Sequence, residues 1–259
     1  MKRKLLAFDL DGTLLNKAAA LSSVTINALN KMRAQGHVIV IATGRCAKDI
    51  VHLLPEIKPD AVVCSDGAIA KVAGKTLFEL PIPKQHLRTL IQRSNADSDI
   101  RSITLNAAAG YISTETPKVS HHSLEALLKI TTVTPVCEDM DVEAYVFMVE
   151  SKAAYNHTDL IKDMPELMIL PYENLWIVKH HNARKWFALQ AVAQYLNIDE
   201  ADIIAFGDGD NDIEMIRECK TGIAMENAVP AVKAVANGIC GTNNMHGVAR
   251  WLLKNILSS

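Results

Sequence analysis

Apolar residues in the first third of the chain fall into short unbroken runs, each ending in a cluster that carries glycine or a carboxylate. Leu5, Leu6, Ala7 and Phe8 predict a buried strand, which Gly12-Thr13 breaks. Ser22 and Ser23 offer an N-cap, Ile26, Leu29 and Met32 follow at helical spacing, and Gly36 supplies the stop. Val38 to Ala42 is a continuous apolar run, as a parallel strand covered on both faces requires, and it ends at Thr43-Gly44-Arg45. Ala61 to Cys64 predict a third strand, ending in Ser65-Asp66-Gly67, and residues 72–77 a hairpin with its turn at Gly74. Strands alternating with helices predict an α/β domain with a doubly wound, mainly parallel sheet.

The pattern changes at Pro81 and Pro83. Beyond them a helix is expected from about Gln85, with strands around residues 103–105, 111–113, 145–149, 167–170 and 175–178. The first pattern resumes with a helix over residues 183–196, whose apolar positions are Phe187, Leu189, Ala191, Val192 and Leu196. A strand over residues 202–206 then delivers Gly207-Asp208-Gly209-Asp210-Asn211-Asp212. Residues 1–80 and 183–259 are therefore expected to form the core domain, with residues 81–182 inserted as a second α/β domain.

Composition narrows the function classes. The 259 residues are 49% hydrophobic, enough for a substantial core, and a net charge of −2 carries no nucleic-acid footprint. The inserted region holds nine Lys/Arg against thirteen Asp/Glu, whereas the flanks hold eighteen against sixteen. A negative lid disfavours large polyanions as substrates. The apolar run after Met1-Lys2-Arg3-Lys4 meets Asp9 too soon for a signal peptide, and no segment approaches a membrane span. Cys46, Cys64, Cys137, Cys219 and Cys240 are scattered and form no CxxC pair, so free thiols in a reducing cytoplasm are expected and a zinc site is not.

Two acidic clusters carry the candidate chemistry. Asp9 and Asp11 lie at the carboxyl end of the first strand, where open parallel sheets place ligand sites. Strand alternation puts both on one face unless the Gly12 turn re-aims Asp11. Such a pair suits one carboxylate that attacks and one that moves a proton, or a hard divalent cation; a solvated acidic loop is the plain alternative. In the second cluster a helix cap accounts for Asp210 or Asp212 but not for Asp208 as well, which points to a metal or phosphate site. Thr43-Gly44 and Lys185 join these clusters at strand ends or helix starts, so four islands converge on one end of the sheet.

In this order the four islands resemble the motifs of the haloacid dehalogenase-like superfamily of aspartyl phosphohydrolases. DLDGTL (residues 9–14) matches its first motif, ATGR (residues 42–45) its second, the lysine of KWFAL (residues 185–189) its third and GDGDND (residues 207–212) its fourth. Residues 222–228, GIAMENA, look like the Cof-type branch. Thr43 lies 34 positions after Asp9, and Lys185 lies 142 after Thr43, so the insertion falls where the family carries its type-two (C2B-like) cap. The resemblance implies a Mg²⁺-dependent phosphatase that hydrolyses small phosphorylated metabolites, sugar or cofactor phosphates, through an aspartyl-phosphate. Asp9 would be the nucleophile and Asp11 the acid and base. The Asp9 carboxylate, the Asp11 carbonyl and Asp208 would bind the metal. Asp212 would join them directly or through water and help position Lys185. Thr43, the Gly44 amide, Lys185, Asn211 and the Leu10 and Gly12 amides would hold phosphoryl oxygens. A phosphomutase is the nearest alternative; Asp11 and the lid argue against a non-catalytic phosphoacceptor.

Other residues have plainer readings. Arg184 and Lys179 lie close to Lys185, and Arg45 suits a phosphate, a surface position or an ion pair. His121-His122 and His180-His181 are adjacent pairs whose side chains should point apart, at solvent or hinge positions; Tyr111 and Trp176 suit packing within the inserted domain. Two departures from the family pattern bear on substrate. Asp66 stands where the family commonly has Asn, and residues 243–248, NNMHGV, replace an acidic run before Gly-Val.

Overall fold

Leu5–Phe8 (β1) and Val38–Ala42 (β2) are buried at every position, because a central parallel strand has both faces covered. The computed structural model describes residues 2–115, 131–152, 156–172 and 174–257; His121 and His122 lie outside them. By contact the chain divides into two units. The first is Met1–Gly44, Val51–Phe78 and Arg184–Ser259; the second is Arg45–Ile50 and Glu79–Ala183.

The first unit is built on an eight-stranded sheet. Its remaining strands are Ala61–Cys64 (β3), Ile69–Val72 (β4), Lys75–Glu79 (β5), Ile203–Gly207 (β12), Thr221–Met225 (β13) and Gly238–Cys240 (β14), in the order β14-β13-β12-β1-β2-β3-β4-β5. Pairing is parallel from β14 through β3, and β4 turns antiparallel against β3. Ala73 and Gly74 take positive φ of 48° and 78°, as a two-residue hairpin turn demands. The chain leaves β1 towards β2 on one side and leaves β12 towards β13 on the other. The carboxyl ends of β1 and β12 therefore flank the switch point of the sheet. Register places Phe8 beside Phe206, with rings stacked 5.2 Å apart, so Asp9 emerges next to Gly207-Asp208.

Ser23–Ala34 (α1) starts at Ser22, whose side chain accepts the Thr25 N–H, and Gly36 follows its end with φ 83°. Thr25, Ala28, Leu29 and Met32 form its buried stripe; Ile26, expected on that face, is half-buried at its edge. The helix of the third motif spans Lys185–Tyr195, with Trp186, Ala188, Leu189, Val192 and Ala193 buried. Phe187 is instead half-buried, its ring edge-on to Phe78 at 5.9 Å.

The second unit carries a six-stranded sheet. Ile100–Ala107 (β6), Gly110–Ser113 (β7), Thr131–Val133 (β8), Ala144–Ser151 (β9), Leu167–Tyr172 (β10) and Leu175–His180 (β11) lie in the order β10-β11-β9-β6-β7-β8. All pairs are antiparallel except β7 with β8. Leu87, Leu90 and Ile91 of the helix Lys84–Ala96 pack with Ile103, Leu105, Phe147, Val149 and Val178. Several residues of β6, β7 and β9 are polar yet buried: Thr104 and Ser113 share a hydroxyl hydrogen bond of 2.8 Å, and Ser102 donates to Glu150 at 3.3 Å.

Two local readings need correction. The sequence grouped residues 45–50 with 1–80, but Tyr111 Oη accepts the Cys46 N–H at 3.0 Å and Lys48 Nζ donates to Ala109 O at 2.9 Å, tying this segment to the β6–β7 hairpin. Arg45 is 5% exposed and pairs with Asp49 at 3.4 Å. The rings of His180 and His181 do not point apart but lie 4.7 Å from each other, because β11 ends at His180 and strand alternation ends with it. The five cysteines carry no disulfide. Among the described residues no helix is long and apolar enough to cross a membrane.

Candidate active site

The site assembles within the first unit, beyond the ends of β1 and β12. Asp9 is the first residue past β1, and its N–H still donates to Phe206 O at 3.0 Å, continuing the ladder by one bond. The chain then folds tightly on itself: Leu10 is fully buried and its carbonyl accepts the N–H groups of Thr13 and Leu15. Gly12 takes φ 78°, and a Cβ there would stand 2.1 Å from Asp208 Oδ2. Any other residue would both strain the backbone and collide with that carboxylate.

Lys185 begins its helix at the centre of the cluster and is 2% exposed. Its Nζ donates to Asp9 Oδ1 at 2.8 Å and to Asp212 Oδ1 at 2.7 Å. The neighbouring Arg184 is engaged with Glu214 at 2.6 Å. Lys185 reaches its place because Gly67, at φ 96°, lets the turn after β3 run against the Arg184 backbone, where a Cβ would meet the carbonyl at 2.3 Å. Asp212 is fully buried and serves two ends at once. Its Oδ2 accepts the N–H groups of Asp208 and Gly209 at 2.9 and 3.0 Å, while its Oδ1 holds Lys185. The cap role and the charged role weighed for this acid thus coincide.

The remaining candidates surround this cluster. Asp208 accepts the Thr13 hydroxyl at 2.8 Å. Thr43 is buried, and its N–H donates to Val63 O. Asn211 is exposed and donates to Asp66 Oδ1 at 2.8 Å; that oxygen stands 3.0 Å from where a Cβ on Gly44 would lie. Asp11 is half-buried, and its charge presses both Asp9 and Asp208 towards protonation. Its carboxylate lies outside the group of three, Asp9, Asp208 and Asp212, whose oxygens fall within 4.8 Å of one another.

Sequence reasoning missed Thr13, Gly67 and Asn227 as site residues. Asn227 donates to Gly12 O at 2.8 Å and accepts the Asn243 N–H at 3.0 Å, while Asn243 donates to Leu15 O at 2.8 Å. Two of the asparagines thus tie down the loop that carries Asp9. Thr13 and Asn227 stand in the quoted motifs, but no signal along the chain joins partners 195 and 215 positions apart.

Charge in the cluster is unbalanced. Burial opposes the Lys185 ammonium, yet Asp212 and Asp9, with Asp66 beyond them, hold its pKa above the ordinary value. Burial raises Asp9 well above the usual carboxylate range; Lys185 pulls it down, while Asp212, Asp208 and Asp11 push it further up. Asp208 is raised to about 7 by burial and the Asp212 charge, against the restraining Thr13 hydrogen bond. One ammonium among three clustered carboxylates leaves surplus negative charge on an all-oxygen donor set. That chemistry, with the Gly12 cradle around Asp208, fits a hard divalent cation.

A pH dependence follows for the cation-free protein. The folded pKa of Asp208 lies above its unfolded value, so the stability it contributes is full below about pH 4 and lost as pH rises through about 7. Without divalent cation, melting temperature should fall from about pH 5 to about pH 8 more steeply in the native chain than in Asp208→Asn. Added cation should raise melting temperature more at about pH 8 than at about pH 5, because protons compete with it for Asp208. Thermal melts with and without chelator measure both, and equal cation shifts at the two pH values would overturn the coupling of cation binding to Asp208 protonation.

Comparison with known proteins returns a consistent group. Residues 6–252 match the family model described as haloacid dehalogenase-like hydrolase. The 5-amino-6-(5-phospho-D-ribitylamino)uracil phosphatase YitU of Bacillus subtilis is 27% identical, covering 97% of each chain. The pyridoxal phosphate phosphatase YbhA of Escherichia coli is 26% identical, covering 99% of this chain and 100% of its own. A crystal structure of a hypothetical protein from Geobacillus kaustophilus superposes with a TM-score of 0.83 at 26% identity, covering 99% of both chains.

Proposed function

The chain belongs to the haloacid dehalogenase-like hydrolases, and on that premise we propose that it hydrolyses monoesters of small phosphorylated metabolites, with Mg²⁺ as cofactor and Asp9 as phosphoryl acceptor. The observation that carries this reading is the buried cluster at the switch point, where Lys185 bridges Asp9 and Asp212 beside Asp208. A buried carboxylate held by a hydrogen bond is fixed in place and has little water to shed, which suits a nucleophile.

In the proposed reaction an Asp9 oxygen attacks phosphorus and the bond to the leaving oxygen breaks, giving an aspartyl-phosphate and an alcohol. Asp11, half-buried beside the cluster, donates a proton to the leaving oxygen. It then takes one from the water that attacks the aspartyl-phosphate, releasing inorganic phosphate and restoring Asp9. Thr43, the Gly44 amide, Lys185 and Asn211, with the Leu10 and Gly12 amides, hold the phosphoryl oxygens and stabilise charge that builds in the transition state. Asp9, the Asp11 carbonyl and Asp208 would hold Mg²⁺, with Asp212 contributing, and the ion when bound neutralises charge on the phosphoryl group. Asp212 and Thr13 keep Lys185 and Asp208 oriented for these tasks. The second unit is the proposed cap, which selects the leaving group.

The test is release of inorganic phosphate from a panel with Mg²⁺ or chelator. The panel contains sugar phosphates, pyridoxal phosphate and 5-amino-6-(5-phospho-D-ribitylamino)uracil, the last two because YbhA and YitU are named for them. Mg²⁺-dependent release from at least one ester is expected. An isomerised ester without free phosphate would assign a mutase instead, and silence across the panel from folded protein would remove the phosphatase reading.

A further inference from the structure

Asp66 puts a carboxylate among groups proposed to bind an anion. It occupies left-handed backbone, φ 57° and ψ 29°, which aspartate and asparagine tolerate better than other side chains. The turn therefore accounts for an Asx residue but not for its charge. The Asp66 N–H donates to Thr43 O at 3.2 Å. Its Oδ1 accepts the Asn211 amide at 2.8 Å and faces Gly44, whose missing Cβ would stand 3.0 Å away. Its charge is also felt at the Lys185 ammonium. Asp66 thus touches or acts on Thr43, Gly44, Asn211 and Lys185.

Resting on the reading of those four as the phosphoryl-binding set, we propose that Asp66 is a positioning residue with a second effect: it aims the Asn211 amide, and its negative charge weakens retention of inorganic phosphate after turnover. The two effects separate chemically. A neutral amide oxygen at position 66 would accept the same Asn211 hydrogen bond, whereas only a carboxylate repels a phosphate anion. The repulsion acts on ester and inorganic phosphate alike, but an ester offsets it with contacts to its leaving group and inorganic phosphate does not.

Asp66→Asn keeps the acceptor and the backbone preference and removes the charge. Calorimetric titration of the Mg²⁺-supplemented full chain with inorganic phosphate should show the variant binding about tenfold tighter than the native chain. That difference should narrow as salt is raised, which a purely structural role would not produce. Phosphate should inhibit ester hydrolysis by the variant correspondingly more strongly. Equal or weaker binding by the variant, with the native chain active on esters, would overturn the charge effect and leave Asp66 as a support for Asn211. No phosphate binding by either protein, with no release from any ester, would remove the phosphatase reading and this inference with it.

Discussion

Asp9→Asn is expected to lower phosphate release by at least about four orders of magnitude while the protein stays folded. An amide is no nucleophile, and Asp212, the other carboxylate on Lys185, is held in place by two backbone N–H groups and that ammonium. The fold should survive, because the Asn oxygen can still accept from Lys185 and a neutral amide is less costly to bury than a carboxylate. β1 itself is held by parallel pairing to β2 and β12 along its whole length. Phosphate release and circular dichroism on one preparation measure the two halves of this result. Activity within about tenfold of the native chain would place the nucleophile elsewhere.

Lys185→Met has the second large effect, on stability as well as on activity. The ammonium is 2% exposed and bonded to both Asp9 and Asp212. Its removal leaves two buried carboxylates facing one another with no cation between them. Breaking a buried pair in this way costs about 3–5 kcal/mol, against a small or even favourable change when all its charges are removed together. Urea unfolding of Lys185→Met should show a loss of that size. Combining it with Asp9→Asn should cost less than the two single losses added, because one orphaned charge disappears. Strict additivity would mean that Asp9 and Lys185 do not interact energetically. Activity of Lys185→Met should fall to background, since the same ammonium is proposed to hold a phosphoryl oxygen.

Legibility in the sequence followed locality. Leu5–Phe8, Val38–Ala42 and Ala61–Cys64 could be read directly because parallel strands buried on both faces need unbroken apolar runs. In the inserted region the expected strands all occur, several of them longer than expected, because β6 and β9 bury polar residues such as Ser102, Thr104, Asn106 and Glu150 that interrupt the apolar signal. β8, only three residues long, gave no signal. His180 and His181 were misread because strand alternation was extended one residue past the strand. Arg45, open between phosphate, surface and ion pair, is buried against Asp49 four residues on.

By itself the chain determined the doubly wound core, the family, and which acids stand at the ends of which strands, because hydrophobic run length and motif order are local properties. Tertiary structure alone decided how those acids relate to one another. The register of β1 against β12 brings Asp9 alongside Asp208, and the close approach at Gly67 admits Lys185 between Asp9 and Asp212. It also assigned Arg45–Ile50 to the second unit and set Asp66 against Asn211 across 145 positions of chain. The physical reason is common to all of these. A side chain's charge and shape are written in one residue, but burial, hydrogen-bond partners and the resulting shifts in acidity belong to pairs that only the packed chain brings together.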